Sequence, residues 1–306
     1  MEKIDDIINE IFKNLRERFG ESAVLEIDEV LLDNGQISKC VFIKKSKSHV
    51  GVRMDIDLIK KSIDDGQGLQ EICESLYNAA IMNTDIQGMT GKDFRTWKYM
   101  KERVYPRLLN TEKNTALLKS MPHKEVLDLS IAYYIAVSSR HGRLDNISNV
   151  TYDLCELWGV GLDELNDIAF KNLLDKRPPR FNDIASEIIQ TFIADGIPIG
   201  KDGANIPGRR MDMYVLTSSD SMLGSIYLCV PSVLKSVSNI IGDNFLIASV
   251  SENQLILFKA SESVSADKFE WLKGIVAGIN ERAEDPSIYL TDSIYRYHNG
   301  NVERIM

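Results

Sequence analysis

The 306-residue sequence predicts an α+β fold of two or three subdomains, with mainly antiparallel sheets and packed helices. Three observations carry that expectation. The last hundred residues follow a β-β-α-β-β-α-β-β order, which reads as an α+β layer on an antiparallel sheet. Asn-Gly pairs stand between β-rich runs near both ends, in "DNG" (33–35) and "HNG" (298–300), where both residues tolerate the positive φ of a tight hairpin. The chain is also long for one core, and the Gly/Pro-rich stretch "DGIPIGKDGANIPGRR" interrupts it.

Taken in order, Ile4, Ile7, Ile8, Ile11, Phe12, Leu15 and Phe19 recur at helical spacing, and Gly20 follows where a C-terminal cap belongs. "AVLEIDEVLL" and "ISKCVFIKK" form a hairpin across "DNG", and "HVGVRMDI" adds a short strand. A helix through Leu69, Ile72, Cys73, Leu76, Tyr77, Ala80 and Ile81 completes a first subdomain at residues 1–90, which ends within the polar "NTDIQGMTGKD". The middle region, 91–194, opens with Phe94, Trp97, Met100 or Lys101, and Val104 at helical spacing. It passes through "YPRLLN" to a helix at 111–120.

In "PHKEVLDLSIAYYIAV" the residues Leu127, Leu129, Ile131, Tyr133 and Ile135 hold one parity and Asp128, Ser130, Ala132 and Tyr134 the other, so a strand is expected. Helices follow in "VTYDLCELWGV" and "LDELNDIAFKNLL". "DKRPPRF" interrupts, because Pro removes a donor and disfavours the helical region for its predecessor. Ile184, Ile188, Ile189, Phe192 and Ile193 suggest one more helix before the linker at 195–211. The C-terminal domain, 212–306, then reads as strands "MDMYVLT" and "SIYLCV", a helix from Pro231 to Gly242, strands "NFLIASV" and "QLILFKA", a helix through Phe269, Leu272, Val276 and Ile279, and the closing Asn-Gly hairpin.

Composition excludes several classes. With 44% hydrophobic and 26% charged residues the chain is neither disordered nor fibrous. Residues 1–122 carry 19 Lys+Arg against 20 Asp+Glu, and residues 123–306 carry 17 against 25. An acidic field repels a phosphate backbone, so nucleic acid is not an expected partner. "MEKIDDIINEIF" lacks the basic and uninterrupted apolar regions of a signal peptide, and no uncharged apolar run nears the 18 residues of a membrane span. Cys40, Cys73, Cys155 and Cys229 lie far apart in apolar-periodic segments, as buried free thiols do. A cytoplasmic location is expected.

No catalytic signature is complete. "GIPIGKDG" has three residues between Gly196 and Gly200 where a Walker loop needs four, and Asp202 stands where Ser or Thr would meet Mg²⁺. The four histidines, at 49, 123, 141 and 298, are scattered, with no His-Glu-x-x-His and no Cys pair, so neither metal nor cofactor is expected. No Gly-x-Ser-x-Gly elbow marks a nucleophile. Residues 92–113 hold seven bases against three acids with Phe94, Trp97, Tyr99 and Tyr105 interleaved, which makes Lys92, Arg95, Lys98 and Lys101 the candidates for a nucleic-acid patch. Since Phe94, Trp97 and Val104 share an apolar helical face, a solvated basic face is the simpler account. Arg107, His123 and Asp128 are the candidates for a catalytic group, with His123 and Asp128 as an acid/base pair. Caps, turns and backbone hydrogen bonds supply a structural use for each of them.

"RLLNTEKN" followed by "PHKEVLDLSIAYYI", then "LCELWGV", "MYVLT" and "DSIYRYHNGNVERI", resembles a bacterial domain-of-unknown-function family, number 5688, found mostly in anaerobic Firmicutes. The resemblance runs over nearly the whole chain and implies no activity. It also shows one departure. Where relatives resemble Pro-Ser-Ser followed by His-Glu, this chain has Ala248, Ser249, Val250, Ser251, Glu252 and Asn253. If that element is catalytic elsewhere, the resemblance implies its loss here.

The expectation is therefore a non-enzymatic cytoplasmic protein that presents a groove between its middle and C-terminal domains to a protein or small-molecule partner. The competing expectation is a hydrolase or nucleic-acid-processing enzyme whose site brings Arg107, His123 and Asp128 together.

Overall fold

A computed structural model describes residues 2–45, 51–82, 94–140, 143–186, 212–260, 266–281 and 288–305, and the expected linker at 195–211 lies outside them. The chain is α+β and divides into two compact units, Met1–Met100 and Lys101–Met306. The strand pairings described are antiparallel.

In the N-terminal unit the opening periodicity forms α1 (Glu2–Phe19), closed by Gly20 at φ +83° with its N–H 2.8 Å from the Arg16 carbonyl. Strands β1 (Val24–Leu31) and β2 (Ile37–Lys44) pair from Val24↔Lys44 to Leu31↔Ile37. Asn34 and Gly35 take the positive φ their turn requires. β3 (Val52–Asp55) pairs with the far side of β2, which leaves β1 as an outer strand. The Asp55 carboxylate caps α2 (Ile56–Asp64), 2.6 Å from the Asp57 N–H. α3 (Leu69–Met82) packs with α1 over one sheet face, burying Ile8, Ile11, Leu15, Leu25, Val41, Ile43, Ile72 and Leu76.

Helical spacing from Phe94 to Val104 is realised only as α4 (Trp97–Met100), because Val104 opens a strand, β4 (Val104–Asn110). Every residue from Val104 to Leu109 is buried, and a short run buried on both faces carries no period that separates helix from strand.

Among the described residues the C-terminal unit holds two sheets. In the first, β6 (Leu129–Arg140) pairs with β4 on residues 129–135, with β5 (His123–Val126) on 129–132 and with β7 (Arg143–Asn149) on 134–140. The single strand expected around Asp128 is thus a hairpin, with Leu127 at φ +56° in a two-residue turn. The helix expected at 111–120 shortens to α5 (Thr115–Leu118). α6 (Tyr152–Trp158) is capped by the Thr151 hydroxyl and closed by Gly159 at φ +65°. α7 (Leu162–Lys176) reaches the outer strand, where Asn172 donates to the Lys101 and Val104 carbonyls at 2.7 and 2.9 Å. Pro106 is accommodated because β4 is an outer strand.

The second sheet has the order β13-β12-β10-β11-β9-β8. Its strands are β8 (Pro179–Asp183), β9 (Met213–Ser218), β10 (Asn244–Ser251), β11 (Gln254–Lys259), β12 (Ile294–His298) and β13 (Asn301–Arg304). β8 arises from the Pro-Pro segment read as an interruption; Pro179 starts an outer strand, a position that needs no N–H from it. "SIYLCV" is a 3₁₀ segment, Gly224–Cys229, and not a strand. Its Ser225, Ile226, Tyr227 and Leu228 are all buried, so again no alternation marks the backbone state. α8 (Pro231–Ile241) starts on its proline, and Leu272 and Val276 of α9 (Ala266–Glu281) pack on Leu246, Ala248, Ile256, Phe258 and Ile294. Asn299 and Gly300, at φ 49° and 86°, close the last hairpin.

Candidate functional site: a buried polar seam

Cross-strand register decides what lies together. Arg107 and His123 both face Ala132, one from β4 and one from β5, so they share a sheet face two strands apart, about 10 Å by strand spacing. Tyr105, Tyr134 and Asn149 form the neighbouring row on that face. This is the polar parity of β6, yet Ser130, Ala132 and Tyr134 on it are buried, so another layer covers it.

Arg107, 2% exposed, donates to Glu252 Oε2 at 2.6 Å and to Asn149 Oδ1 at 3.3 Å. Glu252 belongs to the β10–β11 turn. The turn is itself held: the Glu252 carbonyl accepts from Ser225 N–H and Oγ–H at 3.1 and 2.7 Å, and the Asn253 carbonyl accepts from Gly224 N–H and the Thr217 hydroxyl at 3.0 and 2.7 Å. Asn253 Oδ1 accepts from Leu223 N–H at 3.1 Å. Gly224 is required by this close approach, since a Cβ there would lie 2.5 Å from Thr217 Cα and 2.7 Å from the Asn253 carbonyl oxygen.

One row along, Arg177 at the end of α7 donates to the Tyr134 hydroxyl, to both Asp220 oxygens at 2.5 and 2.6 Å, and to the Met222 carbonyl at 3.0 Å. Its own carbonyl accepts from the Tyr227 hydroxyl, and its guanidinium lies 5.7 Å from the Tyr105 ring centre. Asp220 also accepts from the Ser218 hydroxyl at 2.6 Å. Burial pushes the Tyr134 and Tyr105 hydroxyls above their ordinary range, keeping both as neutral donors or acceptors. Two guanidinium groups thus meet two carboxylates in a region where an unpaired charge would be severely destabilising.

Asp128 is committed elsewhere. Thr291 and Ser293 donate to its Oδ2 at 2.7 and 2.8 Å, and Tyr295 to its Oδ1 at 2.7 Å. Burial alone would raise this carboxyl, but the Tyr295, Thr291 and Ser293 hydroxyls together hold it below its usual range. A carboxylate so stabilised is a weak base. Burial, then the bond to Asp128, pushes the Tyr295 hydroxyl up. His123 Nδ1 lies 2.8 Å from the Met121 carbonyl, which can only accept, so the neutral ring carries its proton on Nδ1. Asn110 caps the Lys113 N–H at 2.8 Å and donates to the Leu290 carbonyl at 2.9 Å.

Arg107, His123 and Asp128 therefore answer to three separate sets of partners. The middle region and the C-terminal sheet, expected to flank a groove, are joined through Arg107–Glu252, Arg177–Asp220, Asn110–Leu290 and the Asp128 cluster. Sequence reading overlooked Arg177, Asp220 and Asn149. Arg177 lies in the "DKRPPRF" interruption, where a buried cation had no periodicity to announce it.

Of the basic candidates, Lys92 lies outside the described residues, Arg95 and Lys98 are exposed, and Lys101 is half-buried. Lys98 Nζ sits 5.9 Å from the Tyr99 ring centre, while Phe94 and Trp97 are half-buried. All four cysteines are free thiols. Among the described residues no three His, Cys, Asp or Glu side chains are grouped to hold a metal ion, and no helix is long and apolar enough to cross a membrane.

A family described as "family of unknown function (DUF5688)" matches residues 4–299. The chain belongs to that family. The match reaches into both compact units. No curated protein and no solved structure matches the chain.

Proposed function

We propose that this family member is a non-enzymatic cytoplasmic protein that works by binding a protein partner. One observation carries the reading: the side chains best equipped for chemistry in the C-terminal unit are engaged by other parts of the fold. Arg107 and Arg177 are neutralised by Glu252 and Asp220, and Asp128 accepts from three hydroxyls. Such a network holds two sheets in register and leaves its charges unsuited to proton transfer. The acidic balance favours a protein partner over nucleic acid.

The test is a turnover screen of the full chain with nitrophenyl esters, nitrophenyl phosphates and single-stranded oligonucleotides, beside an Asp128→Asn variant checked for fold by circular dichroism. No turnover is expected from either protein. Turnover by the natural chain that disappears in a folded Asp128→Asn variant would overturn the reading.

A further inference from the structure

In the N-terminal unit, the apolar side of the β1–β2 hairpin extends beyond what the helices bury. Leu25, Val41 and Ile43 are buried under α1 and α3, but Ile27, in register with Val41, is 50% exposed, and Ile37, in register with Leu31, is 69% exposed. β1 is also an outer strand of eight residues with no strand paired to its free side among the described residues. Outer strands are ordinarily short, bulged or interrupted by proline, since their free N–H and C=O groups invite another chain. The other outer strand of this sheet, β3, has four residues.

The charges on β1 indicate what fits. On the face away from the helices Glu26 and Asp28 stand side by side, and their neighbours on β2 are Phe42 and Cys40, neither of them basic. Asp28 meets Arg53, which reaches over from β3 to 2.9 Å, and Glu29 on the helical face pairs with Lys39 at 3.4 Å. A second copy of β1 is a poor match. Two-fold antiparallel pairing centred on Ile27 sets each Glu26 against the other copy's Asp28, and pairing centred on Asp28 opposes the two aspartates; like charges directly opposite are destabilising.

We propose that the free edge of β1 docks an extended segment of another protein that alternates aliphatic and basic residues. The segment adds as a fourth strand, with its aliphatic side chains beside Leu25, Ile27 and Leu31 and its basic side chains beside Glu26 and Asp28. Main-chain hydrogen bonds supply affinity and the alternation supplies selectivity. This inference rests on the binding reading above.

The probe is an N-acetylated octapeptide alternating Val and Lys, titrated into the full chain by fluorescence anisotropy and followed by amide hydrogen exchange. Binding is expected to slow exchange within Val24–Leu31. Glu26→Lys, on an exposed position, is expected to weaken the Val/Lys peptide by roughly fivefold, the scale of a cross-strand charge pair reversed, and to strengthen an otherwise matched Val/Glu peptide. The inference is overturned by binding that leaves exchange in Val24–Leu31 unchanged, by indifference to Glu26→Lys, by no binding at millimolar peptide, or by protection that rises with chain concentration alone, which would mark self-association. Enzymatic turnover would end the binding reading without touching edge protection, so the two failures are distinguishable.

Discussion

Glu252→Ala removes one member of an ion pair whose side chains are 3% and 14% exposed, at a separation of 2.6 Å. The Arg107 guanidinium, itself 3% exposed, then keeps its charge without its charged acceptor, and the Asn149 amide oxygen at 3.3 Å is a long, neutral one. Breaking a buried pair from one side destabilises by about 3–5 kcal/mol, a large fraction of the roughly 5–15 kcal/mol that holds a domain folded. Arg107→Met is expected to cost less, about 2 kcal/mol, because the slightly exposed Glu252 carboxylate can draw in solvent. The double variant Arg107→Met with Glu252→Leu removes both charges and is expected within about 1 kcal/mol of the natural protein. Urea unfolding followed by the emission of Trp158, buried in the C-terminal unit, reads these differences. A cost below about 1 kcal/mol for Glu252→Ala, or a double variant no more stable than Glu252→Ala, would refute the role given to this pair.

Asp128→Asn replaces a charged acceptor of three hydroxyl hydrogen bonds and is expected to cost roughly 2–3 kcal/mol at neutral pH. Because the folded carboxyl lies below its unfolded value, near about 3.9, its contribution is full above that value and fades as pH falls through the folded one; the gap between natural and variant stabilities should therefore close below about pH 4. Gly224→Ala must thrust a methyl into the Thr217 and Asn253 backbone and is expected to cost about 3 kcal/mol in thermal unfolding. Gly274→Ala in α9 meets nothing within 4 Å and is expected to stabilise by about 0.5–1 kcal/mol in the same measurement. Leu127→Asn relieves a left-handed φ at an exposed leucine and should gain on the order of 0.5 kcal/mol; a loss would mean that the leucine side chain holds the turn.

Legibility followed exposure. Where one face of an element meets water, as in α1, α3, α8 and the β1–β2 and β12–β13 hairpins, periodicity and turn residues located it closely. Where a segment is buried all round, as in Val104–Leu109 and Gly224–Cys229, the sequence has no polar beat and its backbone state was misassigned. The turn at Leu127–Asp128 has no turn chemistry of its own; three hydroxyls more than 160 residues away help hold it, and local reading cannot see them. Arg107 and Asp128 stand out in the sequence, but the partners they meet, Glu252 in the β10–β11 turn and Tyr295 in β12, are distant in the chain.

Composition and periodicity by themselves determined the α+β class, the two Asn-Gly hairpins and most helices, because each depends on local backbone preference or on a contiguous pattern. Only the tertiary structure decided that β8 joins the C-terminal sheet, that Arg177 meets Asp220, and that Arg107 and Asp128 serve different clusters. Those outcomes depend on which charges become neighbours once water is excluded. Chain order does not encode that proximity in any short window.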